Sequence, residues 1–359
     1  MTTSNKLTLA MVGCGDIAGA YLEGAKQAGR CRIVQVMDVN RALAEERGKM
    51  YAVPATADFN DVLGNPEADG VILSVPHYLH TSMTMQALER GKHVMCDKPI
   101  ATNIPDGKKM IAAARSAGRK LTVNYAMRCA DKARYARQLI AEGLLGEIIS
   151  ITIICAGMKP EEYWSQGWAK VTKTDWRRSK AKSGGGVTLM NASHYIDLLF
   201  HLTGQSASAV TGFAGTLNSP PGVEVEDLSV GALKLRNGGI MSVIASSCYA
   251  GGLPHHMSIL GKKGQIEMEA GTEQTLRVFL RDAGGRSIKT HEWVDLPVPA
   301  SGRPGGYAGL LDEFSAAALD GGPVPVDPQD ALHTMACVLA IYGENSELPP
   351  GYGDPAKSP

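Results

Sequence analysis

Several things are missing from this chain of 359 residues, and each absence removes a class of function. There is no excess charge of either sign, with 36 basic and 36 acidic side chains, so a general polyanion binder is disfavoured and no nucleic-acid partner is expected. No apolar run approaches the roughly 20 residues that cross a bilayer, so no membrane role is expected. The opening stretch "MTTSNKLTLAMVGCG" runs straight into a strand without a signal-peptide layout. The seven cysteines (Cys14, Cys31, Cys96, Cys129, Cys155, Cys248, Cys337) contain no CxxC or other close pair and read as free thiols of a cytoplasmic protein. The histidines show no ligand spacing. Neighbouring His255 and His256 on a strand point to opposite faces, so no metal is expected. There is no internal repeat. What remains is a composition of 44% hydrophobic and 20% charged residues, in a length that suits two globular domains.

The first half has the order of a nucleotide fold. "LTLAMV" is a buried strand, "GCGDIA" a glycine-rich turn into a helix, and "RIVQVMDVN" a second strand that ends in an acid. Gly13 makes the tight turn, Gly15 lets the backbone approach a pyrophosphate at the helix N-terminus, and Ala18 takes the third small position. Asp16 and Ile17 lie in the same turn. Asp38, 20 residues after Ala18, can accept hydrogen bonds from both ribose hydroxyls and would repel a 2′-phosphate. NAD is therefore expected over NADP, with Arg41, a cofactor-side candidate or a surface helix residue, close enough to leave NADP open. Strands and helices go on alternating through "DGVILSVP", "KHVMCDKPI" and "KLTVNYAMR", which implies a doubly wound parallel sheet of the Rossmann type. In such sheets ligands bind at the carboxyl ends of the strands, where Lys98, Pro76 and His77 fall.

After Arg128 the pattern changes to β-branched strands and hairpin turns at Gly238-Gly239 and Lys262 to Gly264. The expected second domain is α+β, with a large, mostly antiparallel open sheet. Helices flank one face and a partner subunit covers the other, giving a homo-oligomer, dimer or tetramer. Two C-terminal helices are expected to pack back on the first domain. The expected boundaries are 1–126 for the NAD-binding domain, 127–348 for the substrate and oligomerisation domain, and 349–359 for a loose tail.

"GCGDIA", "SVPHYLHTSMTMQALERGKHVMCDKPIA" and "SGGGVTLMNASHYIDLLFHLTG" together resemble the glucose–fructose oxidoreductase / inositol dehydrogenase / MocA (Gfo/Idh/MocA) family, from about Leu7 to about Ser346. The resemblance implies an oxidoreductase acting on a secondary hydroxyl of a sugar, cyclitol or sugar derivative. It implies that the lysine of the family's E-K-P tripeptide, here Asp97-Lys98-Pro99, touches substrate and nicotinamide, often before a cis proline bond. It also implies that the family's histidine after a triple glycine is His194, which would act as the base while Lys98 stabilises the developing alkoxide. The commonest spacing of that histidine's partner lands on Met190, which cannot do acid–base work. The role is carried to Asn191, three residues before His194 and on the same face of a helix. Ser74, Pro76 and His77 match the cofactor-contacting turn, and His80 begins a helix near that rim. Tyr125 and Arg177 are candidates to line the site. Three of the four tryptophans fall in the turn-rich stretch 163–186, where Trp164 and Trp176 are expected to form a substrate wall, since indole faces stack on sugar C–H faces. From Lys170 to Lys182 there are six basic residues and one acid, which could be a solvated flank or could attract an acidic sugar or the cofactor's phosphates. There are two alternatives: a redox-assisted glycosidase that keeps its NAD bound, which the same Lys98 and His194 could serve, and a non-catalytic NAD- and sugar-binding sensor, against which the presence of both Lys98 and His194 argues.

Overall fold

A computed structural model describes residues 6–171, 173–251, 255–269, 274–344 and 347–353. The N-terminal sheet is built from β1 (Leu7–Val12), β2 (Cys31–Met37), β3 (Ala55–Thr56), β4 (Gly70–Leu73), β5 (His93–Cys96) and β6 (Leu121–Val123). The intervening helices are α1 (Ala18–Gln27), α2 (Arg41–Tyr51), α3 (Phe59–Gly64), α4 (His80–Glu89) and α5 (Ile104–Ser116). The six strands are parallel in the order β3-β2-β1-β4-β5-β6. β1, β4 and β6 are buried at every position, because helices cover both faces and leave no place for alternation. Their register aligns the strand ends: Val12 pairs with Met37 and with Leu73, Leu73 with Cys96, and Cys96 with Val123. The residues that follow, Gly13, Asp38, Ser74, Asp97 and Asn124, therefore share one carboxyl rim.

Beyond the first sheet come α6 (Asp131–Ala141), β7 (Ile148–Ala156), the short helices α7 (Tyr163–Gln166) and α8 (Lys180–Ser183), and a π-helical run Thr188–Ala192 that continues into α9 (Ser193–Thr203). Then follow β8 (Ala207–Gly215), β9 (Leu228–Leu235), β10 (Ile240–Ser246), β11 (His256–Gly261), β12 (Gly264–Glu269), β13 (Thr275–Leu280) and β14 (Trp293–Pro297), and last α10 (Gly306–Asp320) and α11 (Pro328–Ile341). The eight strands β7–β14 form one sheet in the order β14-β13-β12-β11-β7-β10-β9-β8, antiparallel except for the β10–β7 pair. β14 is an edge strand that the sequence pattern did not announce; it is short and ends at a proline, as edge strands can.

Two compact units result: Met1–Ala126, Pro160–Gly184 and Pro304–Leu332 in the first, and Met127–Lys159, Gly185–Arg303 and His333–Pro359 in the second. Two later segments lie with the first unit, so its chain path is not contiguous, and α10 is held there through specific contacts. In α10, Tyr307 meets Tyr21 of α1 edge-on at 4.9 Å, and Asp312 accepts from the backbone N–H groups of Gly29 and Arg30. Lys120 Nζ donates to the carbonyls of Gly321 and Gly322, and Thr122 Oγ1 to that of Val326. The loose-tail expectation needs correction over 349–353. Tyr352 is buried in the second unit, where its hydroxyl donates to Asp197 Oδ1 at 2.6 Å and accepts from Thr334 Oγ1 at 2.7 Å. Arg128 pairs with the same carboxylate. Residues 354–359 of that expected tail lie outside the described residues. No helix among the described residues is long and apolar enough to cross a membrane.

Candidate active site

The turn after β1 is shaped by backbone crowding. Gly13 has φ +92°, and a Cβ on it would stand 2.1 Å from the Ser74 carbonyl oxygen, so only glycine lets the chain pass the end of β4. A Cβ on Gly15 would meet nothing within 4 Å, which leaves open space where the helix begins. Asp38 Oδ2 accepts from the Cys14 N–H at 2.8 Å and Oδ1 from the Asn40 N–H at 2.8 Å. Each oxygen keeps lone-pair capacity for a ribose hydroxyl. Ile17 is exposed beside the turn. Arg41 points into solvent in a loose pair with Glu45 at 3.8 Å. Open space at Gly15 and a fixed carboxylate at Asp38 together fit a dinucleotide.

The end of β5 brings the next group. Asp97 Oδ1 accepts from the Lys98 backbone N–H at 2.9 Å and from Asn124 Nδ2 at 3.1 Å, and the Lys98–Pro99 peptide is cis. Lys98 is half-buried on the rim. Ser74 Oγ reaches Asp97 Oδ2 at 3.5 Å. His77 is buried against the Trp176 ring, 4.5 Å between centroids, and its Nδ1 lies 2.7 Å from the Ser183 carbonyl oxygen. Burial holds its pKa well below that of a free histidine, with His80, Lys98 and Arg177 adding to the effect, so the ring is neutral. His80, expected at the cofactor, is turned inward instead: it is fully buried, with Nδ1 2.7 Å from the Pro99 carbonyl oxygen and Nε2 3.0 Å from that of Val75. Asn124 was missed from the sequence; a lone polar residue directly after β6 was the available signal.

Residues 160–184 close against the glycine-rich turn. Asp16 Oδ2 accepts from the Trp168 N–H at 2.8 Å and from Arg177 Nη2 at 2.9 Å, and Oδ1 accepts from the Ala169 N–H at 3.0 Å. Gly167, at φ +70°, leaves room for this: a Cβ there would fall 2.1 Å from Asp16 Oδ2. The Arg177 guanidinium lies over the Trp176 and Tyr163 rings at 4.6 and 5.5 Å. The wall expectation is corrected for Trp164, which is among the largest fully buried side chains and presents no face to a ligand; an apolar indole is worth more inside than at a loop surface. Trp176 remains half-buried beside His77. Tyr125 is buried at the end of β6. The basic run is partly neutralised, since Arg177 pairs with Asp16 and Lys182 with Asp175.

In the second unit, Asn191 and His194 stand near the start of a helix whose first donors are all accounted for. Glu226 Oε2 accepts from the Gly186 N–H at 2.6 Å and Oε1 from the Thr188 N–H at 2.9 Å. The Glu226 carbonyl accepts from Val187, and the Tyr342 hydroxyl from Leu189. Tyr342 also donates to Glu226 Oε1 at 2.7 Å. A Cβ on Gly186 would fall 1.9 Å from the Glu226 carbonyl oxygen, which is why glycine leads into this helix. Burial raises the Glu226 pKa, and these donors oppose the rise. Asn191 lies in the π-helical run, so the α-helical spacing used to place it on the His194 face does not apply; a π turn is wider, and such turns recur at functional sites. Among the described residues no cluster of His, Cys, Asp or Glu is arranged to hold a metal.

Residues 7–125 match the profile described as "Oxidoreductase family, NAD-binding Rossmann fold", and residues 137–347 match its partner, "Oxidoreductase family, C-terminal alpha/beta domain". The chain belongs to the Gfo/Idh/MocA oxidoreductase family. As a member it is an oxidoreductase with an NAD-binding domain, joined to a mostly antiparallel second sheet. It is 29% identical to 1,5-anhydro-D-fructose reductase of Ensifer adhaerens, with 95% of this chain and 98% of that protein covered. It is 33% identical to 2,7-anhydro-N-acetylneuraminate hydratase of Escherichia coli, over 56% of this chain and 51% of that protein. Among solved structures, the WlbA dehydrogenase of Bordetella pertussis, in complex with NADH and UDP-GlcNAcA, superposes with a TM-score of 0.80 at 25% identity, covering 94% of this chain and 96% of that one.

Proposed function

We propose that this Gfo/Idh/MocA protein is a cytoplasmic NAD-dependent dehydrogenase that oxidises a secondary hydroxyl of a sugar, cyclitol or sugar derivative. The observation that carries this reading is the position of Lys98 on the same strand-end rim as the Gly13 turn and Asp38. NAD, when bound, accepts the hydride. Gly13, Gly15 and Asp38 orient it, with Ser74, Pro76 and His77 along its rim. Lys98 hydrogen-bonds the reacting oxygen and stabilises alkoxide charge as it develops. His194 takes the hydroxyl proton, and Asn191 holds the histidine or a substrate hydroxyl. Trp176 and Arg177 line the substrate side, while Tyr125 is fully buried and supports the rim from within. The sugar relatives support a carbohydrate substrate, and anhydro sugars belong in the search because two of the related proteins are named for them.

The test is a screen of NADH formation over sugars, anhydro sugars, polyols, inositols and sugar acids. Stoichiometric NADH with one of these compounds is expected. A second reading is favoured by the similarity to a protein named as a hydratase, since hydration is not a net oxidation: Lys98 and His194 would serve a reaction in which bound NAD would supply only transient oxidation. Substrate consumption with no net NADH would replace the first reading by this one.

We also propose a homo-oligomer, dimer or tetramer, through the large sheet. Phe213, Val230, Ile240 and Leu260 are 87%, 50%, 60% and 39% exposed. The register puts them on one face of β8–β11, since Phe213 pairs with Val230 and both Ile240 and Leu260 pair with Ser150. So many large apolar side chains on one sheet face call for a cover.

A further inference from the structure

His80 is the buried titratable group that the proposed chemistry leaves unused, and its surroundings make an unusual demand. Both ring nitrogens face main-chain carbonyl oxygens, Pro99 at 2.7 Å and Val75 at 3.0 Å. A carbonyl oxygen only accepts. A neutral imidazole has one N–H, so one nitrogen would turn its lone pair toward an oxygen lone pair at hydrogen-bond distance. The doubly protonated ring satisfies both contacts, and with His80 fully buried no water can stand in for a partner.

The two carbonyls belong to different strand ends. Val75 follows β4, in the turn that carries Ser74, Pro76 and His77. Pro99 follows Lys98 after β5. We propose that His80 is held as an imidazolium that ties these two turns together and so positions Lys98 on the cofactor rim. The charged and titratable neighbours that act on it are Asp97 and Lys98 after β5 and His77 ahead of α4. Burial is the largest influence on the ring and, with Lys98, lowers its pKa on balance, although the two carbonyls and the Asp97 carboxylate favour the charge; the proposal stands on the two acceptor oxygens at hydrogen-bond distance, which a neutral ring cannot both satisfy. His77, neutral and 5.5 Å away between ring centroids, adds no like charge. His80 is thus a positioning residue: it touches neither cofactor nor substrate and acts through the carbonyl next to Lys98.

The proposal rests on the assignment of Lys98 for its function but not for its charge state, and the tests separate the two. Neutron diffraction from deuterium-exchanged crystals of the full-length wild-type protein near neutral pD reads the protons without any substitution. Deuterium on both Nδ1 and Nε2 of His80 is expected; deuterium on one nitrogen alone overturns the proposal whatever the enzyme's substrate. His80→Gln keeps N–H donors but loses the charge and the second contact point. In the folded variant kcat should fall about 10- to 100-fold, the scale of a misplaced catalytic group, with the NADH dissociation constant within about two-fold of wild type. An unchanged kcat would remove the positioning role.

Discussion

Asp16 and Arg177 are separated by 161 positions in the chain and by 2.9 Å in the fold. The carboxylate belongs to the glycine-rich turn and the guanidinium to the segment 160–184, so this pair, with the two N–H groups of Trp168 and Ala169, fastens that segment beside the cofactor cradle. Arg177 is held from its other side by the Trp176 and Tyr163 rings.

This relationship predicts that Asp16→Ala speeds NADH release. Losing hydrogen bonds to a charged group costs about 1.5–3 kcal/mol, or roughly 10- to 100-fold in the dissociation rate if the segment holds the bound cofactor. Stopped-flow displacement of NADH reads that rate. An unchanged rate would show that the fastening is unrelated to cofactor retention.

Lys98→Ala should lower kcat by roughly 100-fold or more, since a lost charge-stabilising donor costs about 2.7–4 kcal/mol. Gly13 to Ala18 and Asp38 are untouched, so NADH should bind within a few-fold of wild type. Parallel loss of NADH binding would instead make Lys98 a cofactor-site or folding residue, and equal activity would leave it a solvated strand end.

Asp38 should set the choice of dinucleotide. Its oxygens are fixed by the Cys14 and Asn40 N–H groups and would face a 2′-phosphate with like charge. Wild type is expected to show a higher kcat/KM with NAD than with NADP, and Asp38→Ala should move the ratio toward NADP by about 10-fold or more. A wild-type kcat/KM with NADP equal to that with NAD contradicts the ribose argument.

Asp227 should make stability fall in acid. Burial works to raise its pKa, but the N–H groups of Leu217 and Asn218, with Ser219 and Cys248, outweigh that and hold it below the ordinary carboxylate value. A depressed folded-state pKa contributes stability that is present above the unfolded pKa, about 3.9, and is lost as pH falls through the lower folded value. Denaturant melts below about pH 4 should therefore show a steeper loss for wild type than for Asp227→Asn. Parallel curves would remove Asp227 as a contributor.

Phe213→Glu with Val230→Glu should shift the protein to a smaller species in light scattering coupled to size exclusion, because the pair puts two charges on the exposed apolar face of β8 and β9. A wild-type monomer at the outset would refute the oligomer.

The chain's own order of residues made the first sheet and the cradle legible, because those features are local. A strand, a glycine turn, a helix and a second strand ending in Asp38 fall within a few dozen residues, and parallel register then carries Gly13, Asp38, Ser74 and Asp97 to one rim. Lys98 could be placed there by the same reasoning. Tertiary structure decided what depends on partners distant in sequence. Nothing near Asp16 announces Trp168, Ala169 and Arg177, and nothing near Gly186 announces Glu226 and Tyr342. Trp164 and Trp176 look alike as residues; packing buried one and left the other beside His77. The π turn at Asn191 broke the α-helical spacing rule, and His80, read as a rim residue, found two carbonyls in the interior. Periodicity and turn chemistry act between near neighbours and can be read along a chain, whereas the partner of a buried polar group is chosen by which donors and acceptors the finished packing brings within hydrogen-bond distance.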